Sequence, residues 1–129
     1  MIEFLEPPLP GSPRPFSRAT RAGNLVFVSG HSAPHDPANG ITRHPTAAGQ
    51  VRESLAELDR ILHLASSSLA QIVQVSMLIQ NPADYAECNA EYVKHFPNGL
   101  PARHTARFGV PTEAKIAFAC TALVCDRPD

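Results

Sequence analysis

The chain has 129 residues, with 11 lysines and arginines against 12 acidic residues, a formal net charge of -1 and 43% hydrophobic residues. That is the length of one domain, residues 1–129, able to bury a core of its own. A near-neutral balance provides no field to draw in nucleic acid or a membrane surface, so neither is expected as a partner.

The amino-terminal "MIEFLEPPLPG" is acidic and broken by prolines, unlike a secretory leader with its basic start and apolar centre. No apolar run approaches the roughly 18 residues of a membrane span, and a soluble, cytoplasmic protein is expected. Pro7, Pro8, Pro10, Pro13 and Pro15 make the next stretch an extended connector, because each ring fixes its own φ and bars its predecessor from the helical region. "SRATRAGNLVFVSG" then reads as two short strands turning at Ala22, Gly23 and Asn24. "HSAPHDPANGITRHP" is a loop with a turn at Asn39 and Gly40.

From Thr46 the apolar spacing changes. Val51, Leu55, Leu58, Ile61 or Leu62, and Ala65 recur every three or four residues, predicting an amphipathic helix with one face for a sheet. "IVQVSMLIQ" alternates Val73, Val75, Met77 and Ile79 against Gln74, Ser76 and Gln80, a strand with period two. Asn81 as cap, Pro82 at the first helical position and Asp84 in the first turn open a second helix running to about Phe96. Arg103 to Phe108 is a further short strand, and "KIAFACTALV" one buried on both faces. The order β-β-α-β-α-β-β predicts an α+β fold, a mixed sheet with two helices packed on one face. A doubly wound nucleotide fold is excluded, since there is no alternation from the start and no glycine-rich phosphate turn.

Arg103 is the leading candidate for chemistry. If Pro101 to Phe108 is extended, Arg103, Thr105 and Arg107 share one face, and a guanidinium beside a strand edge suits a carboxylate gripped by two hydrogen bonds. The pattern alone leaves open an arginine paired with an acidic neighbour or standing as an edge charge. His31, His35 and His44 lack the spacing of a metal site, and no metal or other cofactor is expected, although His31 at a strand end can face a cleft. Ser29 lies in "VSGH", without the GxSxG elbow of an activated serine. Cys88 and Cys120 fall on presumed core faces, no CxxC pair accompanies them, and Tyr85, Tyr92 and Phe96 have the spacing of a core face rather than a stacking platform.

Taken together, "RAGNLVFVSGH", "NPADYAECNAEYVKHFP" and "LPARHTA" resemble, in order and spacing, the signature segments of the Rid family, also called YjgF or reactive intermediate deaminases. The resemblance covers about residues 12 to 124. It implies a chorismate-mutase-like fold and a homotrimer with a central β-barrel and ligand clefts between subunits. Arg103 then matches the arginine that holds the carboxylate of a small imino or enamino acid. Ser29 and Gly30 match a pair lining the cleft, Asn89 matches a cleft-side asparagine, and Phe16 stands where the family often has tyrosine.

The departure lies in the last strand. The deaminases of the family carry a glutamate there to handle the attacking water, and alignment by the lysine-isoleucine start puts Ala119 at that position. A positioned base is typically worth about 10² to 10⁴ in rate, which alanine cannot supply. The resemblance therefore implies one of three functions. The chain is a deaminase of the 2-aminoacrylate or 2-iminopropanoate type, with water oriented by Thr105, Thr121 or His31. Otherwise it is a relative acting on a larger, more apolar imine or enamine that fills the space at Ala119, or a non-catalytic trimer that binds small carboxylates. Ribonuclease activity finds no basic stripe or general-base pair to support it.

Overall fold

Capping and periodicity account for both helices of the computed structural model, which describes residues 1–125. Helix α1, Ala47–Leu64, begins where the Thr46 hydroxyl accepts the Gly49 amide at 3.0 Å, a cap worth about 1 kcal/mol. The predicted apolar positions of α1 and its end are 0–1% exposed, Ile61 and Leu62 both being buried. Gly49 is required by packing, since a Cβ there would collide with the ring of His44. That ring is fixed in turn by its Nδ1, which accepts the Thr46 amide at 3.1 Å.

The second helix is shorter than its pattern. Asn81 caps it, its side chain accepting the Ala83 amide at 3.0 Å. Pro82–Asp84 and Val93–His95 are 3-10 turns, and only Tyr85–Tyr92 is α-helix, here α2.

Six strands form one mixed sheet. They are β1 (Ile2–Leu5), β2 (Ala19–Ala22), β3 (Leu25–His31), β4 (Ile72–Ile79), β5 (Ala102–Arg107) and β6 (Ile116–Leu123), in the order β1-β2-β3-β6-β4-β5. Only β4 and β5 run parallel. The strand β1 was not anticipated: it pairs antiparallel with β2, Ile2 opposite Ala22, and lies before the proline connector. Its side chains are mostly exposed, so it carries no buried alternation to read.

Two expectations need correcting. The ladder between β4 and β6 shifts between Ile72 and Gln74, which buries Ile72 and leaves Val73 43% exposed. And β6 is not buried on both faces along its length. Ile116, Phe118, Cys120 and Ala122 are buried in the core beneath the helices. On the other face Ala117 is buried, Ala119 and Thr121 are half-buried and Leu123 is exposed. The sheet therefore has one face covered by helices and one face open, where Phe27 stands 43% exposed.

Candidate functional site

The parallel register of β4 and β5 decides where the candidate arginine points. Arg103, Thr105 and Arg107 lie opposite Val75, Met77 and Ile79, all buried under the helices, so these three side chains share the helix-covered face at the sheet edge. On that face the Arg103 guanidinium lies 4.8 Å from the ring centroid of Tyr92 and 5.9 Å from that of Tyr85. One terminal nitrogen donates to the Tyr85 hydroxyl at 3.3 Å. Tyr92 is buried and also stacks against Phe118 at 6.0 Å, so the cation rests on a ring that belongs to the core. Among the described residues no carboxylate lies within 4.0 Å of Arg103.

Asn89 sits one turn on from Tyr85 on α2, on the face that also carries Tyr92. Among the described residues its buried Oδ1 and the Tyr92 hydroxyl both have no hydrogen-bond partner. Buried polar atoms are ordinarily paired, so these two mark the Tyr92 side of α2 as a place where a hydrogen-bonding group can be received. Burial pushes the Tyr92 phenol up, against the pull of Arg103. The Cys88 thiol, buried nearby, is pushed up to about 11 by desolvation and by Asp84 and Glu87, which makes it a poor nucleophile.

A second group of residues lies elsewhere. In β3 the ladder to β6 skips Ser29 and Gly30 between Val28 and His31, a bulge that leaves both without partners on β6. The Ser29 hydroxyl donates to the Ser17 carbonyl at 2.6 Å, which brings the segment of Phe16 to the bulge and occupies that hydroxyl. The Phe16 ring is 43% exposed, with the Arg14 guanidinium 5.7 Å from its centroid. Around Gly30 a Cβ would meet nothing within 4 Å, so the space beside the bulge is open.

Beyond the bulge His31 turns back under α1. Its ring nitrogens lie 3.2 Å from the carbonyls of Ser29 and Ser54, and burial holds its pKa below the ordinary histidine value. The ring ties β3 to α1, and in the neutral form that burial favours it donates to one of the two carbonyls. The other loop histidines are engaged locally: His35 Nδ1 accepts the Arg43 amide at 3.3 Å, and His44 is the helix-start ligand already described.

The third group is on the open face. Ala119 pairs with Ser76, and Thr121 with Gln74 and Phe27. With these neighbours they border a shallow cleft of about 200 Å³. The predicted residues thus fall into separate sets within one chain. Arg103 and Thr105 share the helix-covered face at the β5 edge, with Asn89 on the helix that carries Tyr85 and Tyr92; Ser29 and Gly30 form the β3 bulge, to which Ser17 ties the segment of Phe16; Ala119 and Thr121 lie on the opposite face from Arg103. Tyr85 was expected in the core but is 45% exposed and bonded to Arg103, and Tyr92 serves both as core and as platform. Their spacing was visible in the sequence; that they lie beneath Arg103 depends on a long-range pairing that spacing does not reveal.

Residues 9–123 match the family model described as endoribonuclease L-PSP. The chain is 35% identical over 123 residues to the 3-aminoacrylate deaminase RutC of Acinetobacter baylyi, covering 95% of this chain and 94% of that one. It is 31% identical over 116 residues to reactive intermediate deaminase A, chloroplastic, of Arabidopsis thaliana, covering 89% of this chain and 62% of that one. Among solved structures, a YjgF-family protein of Neisseria meningitidis aligns with a TM-score of 0.82 at 26% identity over 98% of both chains. Yeast Mmf1 aligns with a TM-score of 0.79 at 26% identity, covering 95% of this chain and 98% of that one. The fold, the extent of the family match and these relatives agree: the chain belongs to the YjgF/Rid family.

Proposed function

We propose that the chain is a hydrolytic deaminase of small imino or enamino acids, whose carboxylate is held by Arg103 in a cleft completed by a second copy of the chain. The observation that carries this reading is the Arg103 guanidinium, preset on Tyr92 and Tyr85 with no carboxylate within 4.0 Å among the described residues. Relatives named as deaminases support the class of reaction. The second copy enters because Arg103 and Ala119 lie on opposite faces of one sheet, separated by β4. A homotrimer that sets the β5 edge of one subunit against the bulge and open face of the next joins the separate sets in one cleft.

In that cleft the substrate's carboxylate takes two hydrogen bonds from Arg103, and its nitrogen meets the unpaired Oδ1 of Asn89. Water adds to the C=N carbon, giving up a proton as the nitrogen gains one; the tetrahedral carbinolamine then releases ammonia and leaves a carbonyl. Ala119 offers no base, so the rate rests on position and on the intrinsic lability of the imine. Thr105, on the face of Arg103, orients the water, with Thr121 as its counterpart from the open face. His31, with both nitrogens at backbone carbonyls, is left out of this role.

A second reading is favoured by the cleft at Ala119, where Phe27, Ser76 and Thr121 leave room for a larger, more apolar imine. Ala119→Glu separates the two: it raises turnover of a small imine and lowers that of a bulky one only if Ala119 faces the substrate.

The direct test is ammonia release from 2-iminopropanoate generated in situ, with wild type and Arg103→Ala side by side. Acceleration that vanishes in the variant supports the deaminase. Stabilisation by small carboxylates without turnover would replace it with a binding protein, and a fully active Arg103→Ala would overturn the assignment of the carboxylate grip.

A further inference from the structure

We infer that the cleft at the β5 edge takes a substrate with two anionic groups, the first at Arg103 and the second at Arg107, and so favours dicarboxylic over monocarboxylic acids. This rests on the reading of Arg103 as the carboxylate grip and extends it along the strand.

Arg107 is on the same face of β5 as Arg103, at the Ile79 register. Four residues of strand separate their Cα atoms by roughly 13 Å, a gap that two long side chains inclined toward Thr105 can close around a short diacid. Beside Arg107 lies a cleft of about 380 Å³ lined by Ile79, Pro82, Tyr85, Thr105, Ala106 and Arg107, with Arg103 just beyond Tyr85. Tyr85 links the cleft to Arg103, since it borders this cleft while its hydroxyl accepts from Arg103.

The lining chemistry fits a diacid with a short hydrocarbon middle. Ile79, Pro82 and the Tyr85 ring are apolar and suit methylene groups, Thr105 contributes a hydroxyl, Arg107 stands in the lining, and Arg103 adjoins it through the Tyr85 hydroxyl. Among the described residues no carboxylate lies within 4.0 Å of Arg107 either. His104, between the two arginines in sequence, points to the other face, where its Nε2 meets the Ser76 hydroxyl at 2.9 Å. Two unneutralised guanidiniums on one face repel each other, and a dianion relieves both. Arg107 is exposed, so its contribution is modest, and roughly twofold to fivefold in affinity is expected for a charge contact in that setting.

The test needs no turnover. Isothermal titration calorimetry of the full chain with 2-oxoglutarate and 2-oxobutanoate, keto acids standing in for hydrolysed products, gives the ratio of their dissociation constants at low salt. The expected ratio favours the diacid by about twofold to fivefold, falls to about one in Arg107→Ala and reverses in Arg107→Glu, while Arg103→Ala weakens both acids. A ratio of about one in wild type, or one that Arg107→Glu does not move, overturns the inference. If instead Arg103→Ala leaves both affinities intact, the carboxylate grip itself fails; the two failures are read from different variants.

Discussion

Replacing Arg103 with lysine keeps the charge and removes the geometry. The guanidinium lies over the Tyr92 ring, 4.8 Å from its centroid, and donates to the Tyr85 hydroxyl. An ammonium stacks less well and presents a point charge, so it grips a carboxylate through one bond where the fork makes two. One lost hydrogen bond to a charged group is worth about 1.5 to 3 kcal/mol, which is roughly ten- to a hundredfold in affinity. The stacking contact adds about 0.5 to 1 kcal/mol of fold stability, roughly 2 to 4 °C in melting temperature for a domain of this size. Calorimetric titration with 2-oxobutanoate and a thermal melt without ligand measure the two effects separately. The expected result is a large loss of affinity with a small loss of stability. A lysine variant that binds as tightly as wild type would refute the bidentate grip, and one that fails to fold would recast Arg103 as a structural residue.

Two further perturbations test the scaffold. Gly49→Ala drives a methyl group into the His44 ring and is expected to cost about 1 to 3 kcal/mol in chemical denaturation; most of that cost should disappear in the background of His44→Ala, and its persistence there would refute the collision. His31 is buried with its pKa below 6.5, so as pH falls the unfolded chain takes up that proton before the folded chain does. The stability it contributes is complete above about 6.5 and declines below it, until the folded imidazole itself protonates. Wild type should therefore lose more stability than His31→Gln between about pH 7 and about pH 5, and parallel profiles of unfolding midpoint against pH would rule the account out.

Much of this was legible in the residues. The helix start at Thr46, the apolar face of α1, the turn at Gly23 and the shared face of Arg103, Thr105 and Arg107 all follow from local rules of capping and period. What stayed hidden depends on pairing between distant segments. β1 is recognisable only from its partner β2, and Val73 turns outward because of a ladder shift that alternation within "IVQVSMLIQ" cannot contain. The Ser29–Gly30 bulge is of the same kind. It inserts a residue against β6 and so turns His31 toward Ser54, where a plain alternating strand leaves its direction undetermined. Tyr85 and Tyr92 were visible as a helical pair, yet their contact with Arg103 exists only because β5 lies parallel to β4 beneath the end of α2.

The same topology argues for assembly. A parallel β5 at the sheet edge can aim Arg103 only toward the helices, because its register against β4 sets Arg103 beside buried Val75. Antiparallel β6 aims Ala119 and Thr121 only toward the open face, because Cys120 and Ala122 fill the core. No side-chain rotation brings these sets together, since β4 stands between the strands and the sheet between the faces. A reaction that uses both ends therefore requires the edge of one chain against the open face of another. The exposed Phe27 on that face and the unpaired edge of β5 are what such a contact would cover. If the protein proves monomeric under conditions of full turnover, determined by light scattering on the assay sample, the chemistry must lie wholly at the β5 edge. The substitution at Ala119 would then be without effect on it.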